Sequence, residues 1–232
     1  MNLPTVLWQF WGEASAALPA LGWQQSWLRL GWGLVLSAVG VALLGCLGRR
    51  RAGVPSRAVV LAASGLVCGW CLLPGAWSPA FWLGLAFQAP SLAAGAVALG
   101  VLAASGAAGL RWARGAQAAL TQARDWAGAG ALLGWVLLLD SFALWPFYLY
   151  PAGFAPGALV LLLACLLAPW AWRGGSWQQQ RAALTGVVVL LCYGLMHLPS
   201  GNVWDAMLDP WLMLLCHGLL LHRLWCCYRK GS

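Results

Sequence analysis

The sequence predicts an all-α integral membrane protein: a bundle of about seven transmembrane helices preceded by an amphipathic interfacial helix, with the N-terminus outside and the C-terminus cytoplasmic. Three observations carry this expectation. Hydrophobic residues make up 62% of the 232 positions and charged residues 8%, with a mean hydropathy of +0.77, a composition that cannot furnish a water-facing surface. Twelve of the thirteen Lys and Arg residues fall into four short clusters between long apolar runs, and all four clusters can lie on one side of a bilayer. Most of the 18 Trp residues sit where an apolar run meets a turn, the depth that suits an amphipathic indole.

The chain begins with Leu3, Val6, Leu7, Phe10, Ala14, Ala17, Leu18 and Leu21 at three- and four-residue spacing, with Asn2, Thr5, Gln9 and Glu13 between them. That stripe, with Trp8, Trp11, Trp23 and Trp27, predicts an amphipathic helix along the outer interface over residues 1–27. It has no basic n-region and does not read as a signal peptide. Residues 28–232 then make a single transmembrane helical domain. A span needs about 20 apolar residues, and seven runs qualify: Arg29–Gly48, Arg57–Leu73, Ala80–Leu110, Ala127–Trp145, Gly157–Trp172, Ala182–Leu198 and Pro210–Tyr228. The third is too long for one straight span. Pro90 divides it, giving either a kinked helix or a short interfacial piece around Phe81–Ala89 that leads into a span from Ser91.

Orientation follows from charge. Arg49, Arg50, Arg51 and Arg57 follow the first run, Arg111, Arg114 and Arg124 the third, Arg173 and Arg181 the fifth, and Arg223, Arg229 and Lys230 close the seventh. The opposite turns carry Asp205 and Asp209 but no Lys or Arg, so the basic loops are cytoplasmic. Together with the preference for Arg over Lys, this points to a multi-pass protein of a bacterial inner membrane. The net charge of +8 is then accounted for by cytoplasmic retention and contact with anionic membrane lipids, and nucleic acid is not an expected partner.

Chemistry-bearing residues are few. Asp140 lies inside an apolar run, where a charged side chain costs about 2.5 to 3.5 kcal/mol on insertion scales. Counting helical rise places Gln88, Asp140, Tyr193 and His217 at about 9 to 10 Å below the outer surface, with His197 shallower. If their faces converge they make an outward-opening polar pocket for a substrate or proton. The packing alternative is a protonated Asp140 bonded to one neighbour. Cys68-Gly69-Trp70-Cys71 has the spacing of a redox dithiol, although the other six Cys scatter among the runs and offer no second pair. His197, His217, Met196, Met213 and Cys216 combine imidazole, thioether and thiol, a set suited to copper or, through the two His, to haem. No Met-x-x-Met or Cys-x-x-Cys-His motif accompanies them, and the sequence names no cofactor. Asp209 before Pro210 reads as the N-cap of the last helix. Walker A, GxSxG and HExxH motifs are absent.

These features favour a polytopic inner-membrane protein that is a non-catalytic subunit of a larger assembly, with lipids and other membrane-protein subunits as partners. The alternatives are a small transporter or channel for a proton, cation or small solute using the Asp/His/Gln pocket, and a membrane redox protein using the CxxC thiols, copper or haem.

Overall fold

The computed structural model describes residues 17–50, 56–106, 127–144, 148–171 and 177–231. Every regular element among them is helical. In chain order these are α1 (Leu21–Arg50), α2 (Arg57–Leu72), a 3-10 turn (Gly75–Trp77), α3 (Pro79–Phe87), α4 (Leu92–Gly106), α5 (127–141), α6 (Leu149–Ala152), α7 (Pro156–Ala171), α8 (Trp177–Met196), α9 (Val203–Met207) and α10 (Pro210–Gly231). Among the described residues, α1 over Leu21–Leu44 and α10 over Pro210–Arg229 are long and apolar enough to cross a membrane. α2, α4, α5, α7 and α8 are shorter apolar helices. Of the expected interfacial segment, residues 1–16 lie outside the described residues, and Leu21–Trp27 forms the first turns of α1.

The chain divides into two compact units. The first comprises Leu21–Pro90 and Ala94–Thr121; the second comprises Met1–Ala20, Ser91–Ala93 and Gln122–Ser232. In the first, α2 packs antiparallel to α1, setting Cys71 beside Trp32 and Val60 beside Val41. Leu102 of α4 joins the Val41 cluster, and the Trp27 ring closes on Gly95 where a Cβ would collide with it. α4 therefore runs parallel to α1. The basic end of α1, the Arg57 start of α2 and the C-terminal end of α4 consequently share one end of this unit.

In the second unit α5 and α10 are antiparallel, with Ala127 and Ala131 packed against Cys216, Leu219 and Leu220, and Gly134 admitting the Met213 thioether. α7 and α8 are likewise antiparallel, Gly186 receiving Leu166 and Gly194 facing Leu159. Small residues at the contact lines let these backbones approach closely.

The long third run breaks as its composition suggested. α3 ends at Phe87, Gln88 adopts a left-handed φ of 63°, Pro90 follows, and α4 starts at Leu92. α3 starts as local rules dictate, with the Ser78 side chain accepting from Ala80 N–H and Pro79 in the first turn, since proline there sacrifices no intrahelical bond. Two further helices stop earlier than the apolar runs implied. α5 ends in a Schellman motif, Leu144 N–H donating to Leu139 C=O and Ala143 N–H to Asp140 C=O, with Ala143 at φ 54°. α8 ends with His197 at φ 55° and its N–H donating to Tyr193 C=O. These bonds satisfy helix-terminal carbonyls that would otherwise be orphaned.

Candidate functional site

Several polar side chains of the second unit collect where Asp140 and residues 148–155 meet residues 197–209. Asn202 is completely buried and organises the meeting: its side-chain carbonyl accepts from Trp204 N–H at 3.0 Å, capping α9, and its amide donates to Tyr150 C=O at 3.0 Å. Trp204, also buried, sends its indole N–H to Leu149 C=O at 2.8 Å, and Val203 N–H donates to Gly153 C=O. A Cβ on Gly153 would run into the Asn202 carboxamide and the Trp204 ring, so only glycine permits this contact.

Carboxylates tie this cap together. Asp140 Oδ2 accepts from Tyr150 N–H at 2.6 Å, holding the start of α6. The Tyr150 hydroxyl donates to the Asp205 carboxylate at 3.0 and 3.2 Å, and the Ser200 hydroxyl donates to the same group. Burial, the Asp205 charge and the hydrogen bond to Asp205 push the Tyr150 phenol up to about 12; each favours the neutral phenol over a phenolate. Asp209 caps α10, Oδ1 accepting from Leu212 N–H at 2.7 Å, while its Oδ2 accepts from Ser91 N–H at 2.6 Å. The expected Asp209–Pro210 cap is thus present, whereas Asp205 is spent on Tyr150 and Ser200. Gly201, at φ 84°, carries the turn, takes the Tyr193 hydroxyl on its carbonyl at 2.6 Å and lies under the Ala17 backbone.

The residues of the sequence-derived pocket lie on several elements. Asp140 lies in the last turn of α5, because the Schellman motif closes that helix just beyond it, and so it belongs to the cap. Gln88 is in the first unit, exposed, at the left-handed break after α3, and its C=O accepts from Trp32 Nε1. Tyr193 and His197 sit at the end of α8, their rings edge to face at 5.7 Å. His217 stands within α10: its Nε2 accepts from the Trp135 indole at 3.0 Å, which leaves Nδ1 as the donor to Met213 C=O at 2.7 Å. An indole only donates, so this pairing sets the imidazole as the neutral Nδ1–H tautomer. Both ring nitrogens are thereby occupied. Of the remaining sulfur and imidazole candidates, Cys216 is buried against Ala127 and Ala131, and Met213 packs on Gly134. Met196 is exposed near the end of α8. Among the described residues no three His, Cys, Asp or Glu side chains gather as a metal-binding group.

Cys68 and Cys71 are free thiols that face α1. Cys71 is fully buried in the cluster with Trp32 and Ala80, and Cys68 shares a contact of 3.4 Å with the Ser37 hydroxyl. In this setting they fill the seam opposite Gly33 as small apolar groups.

Tyr150, Ser200, Asn202 and Trp204 did not stand out in the sequence as site residues. The available signal was the density of turn and cap residues in Leu198–Pro210, which marks an ordered turn without naming its partners. Among the described residues no Lys or Arg pairs with Asp140, Asp205 or Asp209. Neutral hydroxyl and N–H donors around carboxylates are an arrangement suited to holding loops. Comparison of the chain with known protein families, with characterised proteins and with solved structures finds no match.

Proposed function

We propose that this protein is a multi-pass inner-membrane protein, N-terminus outside and C-terminus cytoplasmic, that serves as a non-catalytic subunit of a larger membrane assembly. The observation that supports this most directly is the contrast between polar and apolar groups. The carboxylates Asp205 and Asp209 and the imidazole of His217 are used up on internal partners, while in the span-length stretch Pro210–Arg229 Cys216 alone is buried by the rest of the chain. Such a helix needs lipid or neighbouring helices as its surroundings. Stoichiometric additional chains in a native mass spectrum of the protein, extracted from its own membrane in mild detergent, are the expected result. A lone chain there counts against the subunit reading.

A second reading has its own support. Asp140 Oδ1 and the His197 imidazole have no hydrogen-bond partner among the described residues, and an acid and an imidazole with spare valence suit a transporter or channel for a proton, cation or small solute. The Asp140→Asn variant separates the two. Asn keeps an acceptor for Tyr150 N–H, so stability should change by only about 0.5 kcal/mol, and assembly should persist. Loss of solute or proton flux in proteoliposomes carrying that variant would establish transport, and unchanged flux would remove it.

A further inference from the structure

Between α2 and α4 the chain runs through a turn, the short helix α3 and a second break, and the hydrogen bonding of this stretch has an unusual donor. The Trp70 indole donates to Trp77 C=O at 2.9 Å, and the Trp82 indole to Ala76 C=O at 2.9 Å. Ser78 closes the rest of the turn: its hydroxyl donates to Cys71 C=O at 2.7 Å while its own N–H reaches Gly75 C=O. At the far end of α3 the Trp32 indole donates to Gln88 C=O at 2.9 Å and the Trp27 indole to Pro90 C=O at 2.7 Å. Pro74, Pro79 and Pro90 contribute no N–H at all. Four carbonyls of this irregular backbone are thus met by indoles and a fifth by a hydroxyl.

The outer surface of the same stretch is apolar. Trp77 is 81% exposed and Leu85 68%, Trp70 and Trp82 are exposed beside them, and only Ala80 of α3 is buried. From Ala58 to Leu110 the sequence has no Asp, Glu, Lys or Arg. Irregular backbone is excluded from hydrocarbon because its unmet polar groups are costly there. Each such group that is met internally lowers that cost. An ordinary interfacial Trp is held at headgroup depth in part by its N–H, and Trp70 and Trp82 have already spent theirs.

We propose that residues 70–90 are a re-entrant shelf immersed in the acyl region of the leaflet opposite the basic loops, contacting phospholipid chains through Trp70, Trp77, Trp82 and Leu85. This rests on the membrane reading and goes beyond it, because a turn between spans is by default a water-facing loop. α3, at nine residues and about 1.5 Å per residue, is too short to cross and lies within a single leaflet.

The test is the rate of alkylation by a membrane-impermeant maleimide in phosphatidylethanolamine–phosphatidylglycerol proteoliposomes, with the signal of the parent protein subtracted. Trp77→Cys is compared with Tyr148→Cys, a turn residue that the sequence places on the same side, and with Leu214→Cys inside α10. Trp77→Cys should react at least about tenfold more slowly than Tyr148→Cys, as expected of a site from which water is excluded. Equal rates overturn the shelf. Leu85→Cys repeats the measurement without disturbing the turn and should be as slow. Adding Trp82→Phe to Trp77→Cys frees the Ala76 carbonyl, which must then draw water, so labelling should accelerate severalfold; an unchanged rate overturns the role given to the indoles. Fast labelling of Leu214→Cys would mean that the membrane reading itself fails, taking the shelf with it.

Discussion

The cap of the second unit and the turn-and-break of the first unit solve one problem with opposite chemistry. Both must satisfy irregular backbone between helices. The cap does so with carboxylates, hydroxyls and a buried carboxamide, through Asp140, Asp205, Asp209, Ser200, Tyr150 and Asn202. The stretch from Trp70 to Pro90 does so with indoles and Ser78. Three carboxylates confine the first arrangement to a polar environment, because desolvating an unpaired charge costs several kcal/mol. The second has no charge to desolvate and can tolerate an apolar one. Residues with equal backbone duty can therefore belong to different solvents, and the identity of the donor is what tells them apart.

The comparison can be broken most forcefully at Gly153. Replacing it with Ala forces the Asn202 carboxamide and the Trp204 ring away from their partners, and the expected loss is about 3 kcal/mol, at the upper end for overpacking. Thermal unfolding in detergent would reveal it, and an unshifted transition would show that the cap is not held at this contact. Next in size is Trp32→Phe in the first unit. It keeps an aromatic ring in the cluster with Cys71 and Ala80 but removes the donor to Gln88 C=O, for a loss of about 2 kcal/mol from the orphaned carbonyl and the missing volume. The same melting experiment on Trp32→Leu should show a larger loss, because the ring goes as well.

The smallest effect is one of pH and sharpens the polar side of the comparison. The Tyr150 phenol titrates at about 12 in the folded protein against 10.0 for a free phenol. Its folded value is raised, so its contribution to stability is fully present below pH 10 and is lost as pH rises from about 10 through about 12. Burial is the largest cause and the Asp205 charge the next. Asp205→Asn should consequently bring Tyr150 part of the way back toward 10 and flatten that alkaline loss, as read by ultraviolet difference titration and by stability measured across the range. An unchanged titration would mean that Asp205 does not act on Tyr150.

Particular residues show why some of this was legible and some was not. The Asp209–Pro210 cap and the Pro90 break were readable because each depends on a few adjacent residues. The ends of α5 and α8 were not. A helix stop is usually announced by Gly or Asn in the left-handed position, yet here Ala143 and His197 occupy it, so the apolar runs seemed to extend to Trp145 and Leu198. Asp140 accordingly stands in the last turn of α5. Gln88 is likewise a left-handed residue at a break.

By itself the sequence determined the helical class, the number and approximate limits of the apolar segments, the clustering of the basic residues and the local caps, because these depend on composition and on periodicities of three or four residues. Only the tertiary structure decided which donor meets which acceptor. Tyr150 finds Asp205 across 55 positions and Trp32 finds the Gln88 carbonyl across 56, and helical periodicity carries no information about partners so far apart. Segment-level patterns specify the faces of helices, and the pairing of their polar remnants is settled only when those helices are packed.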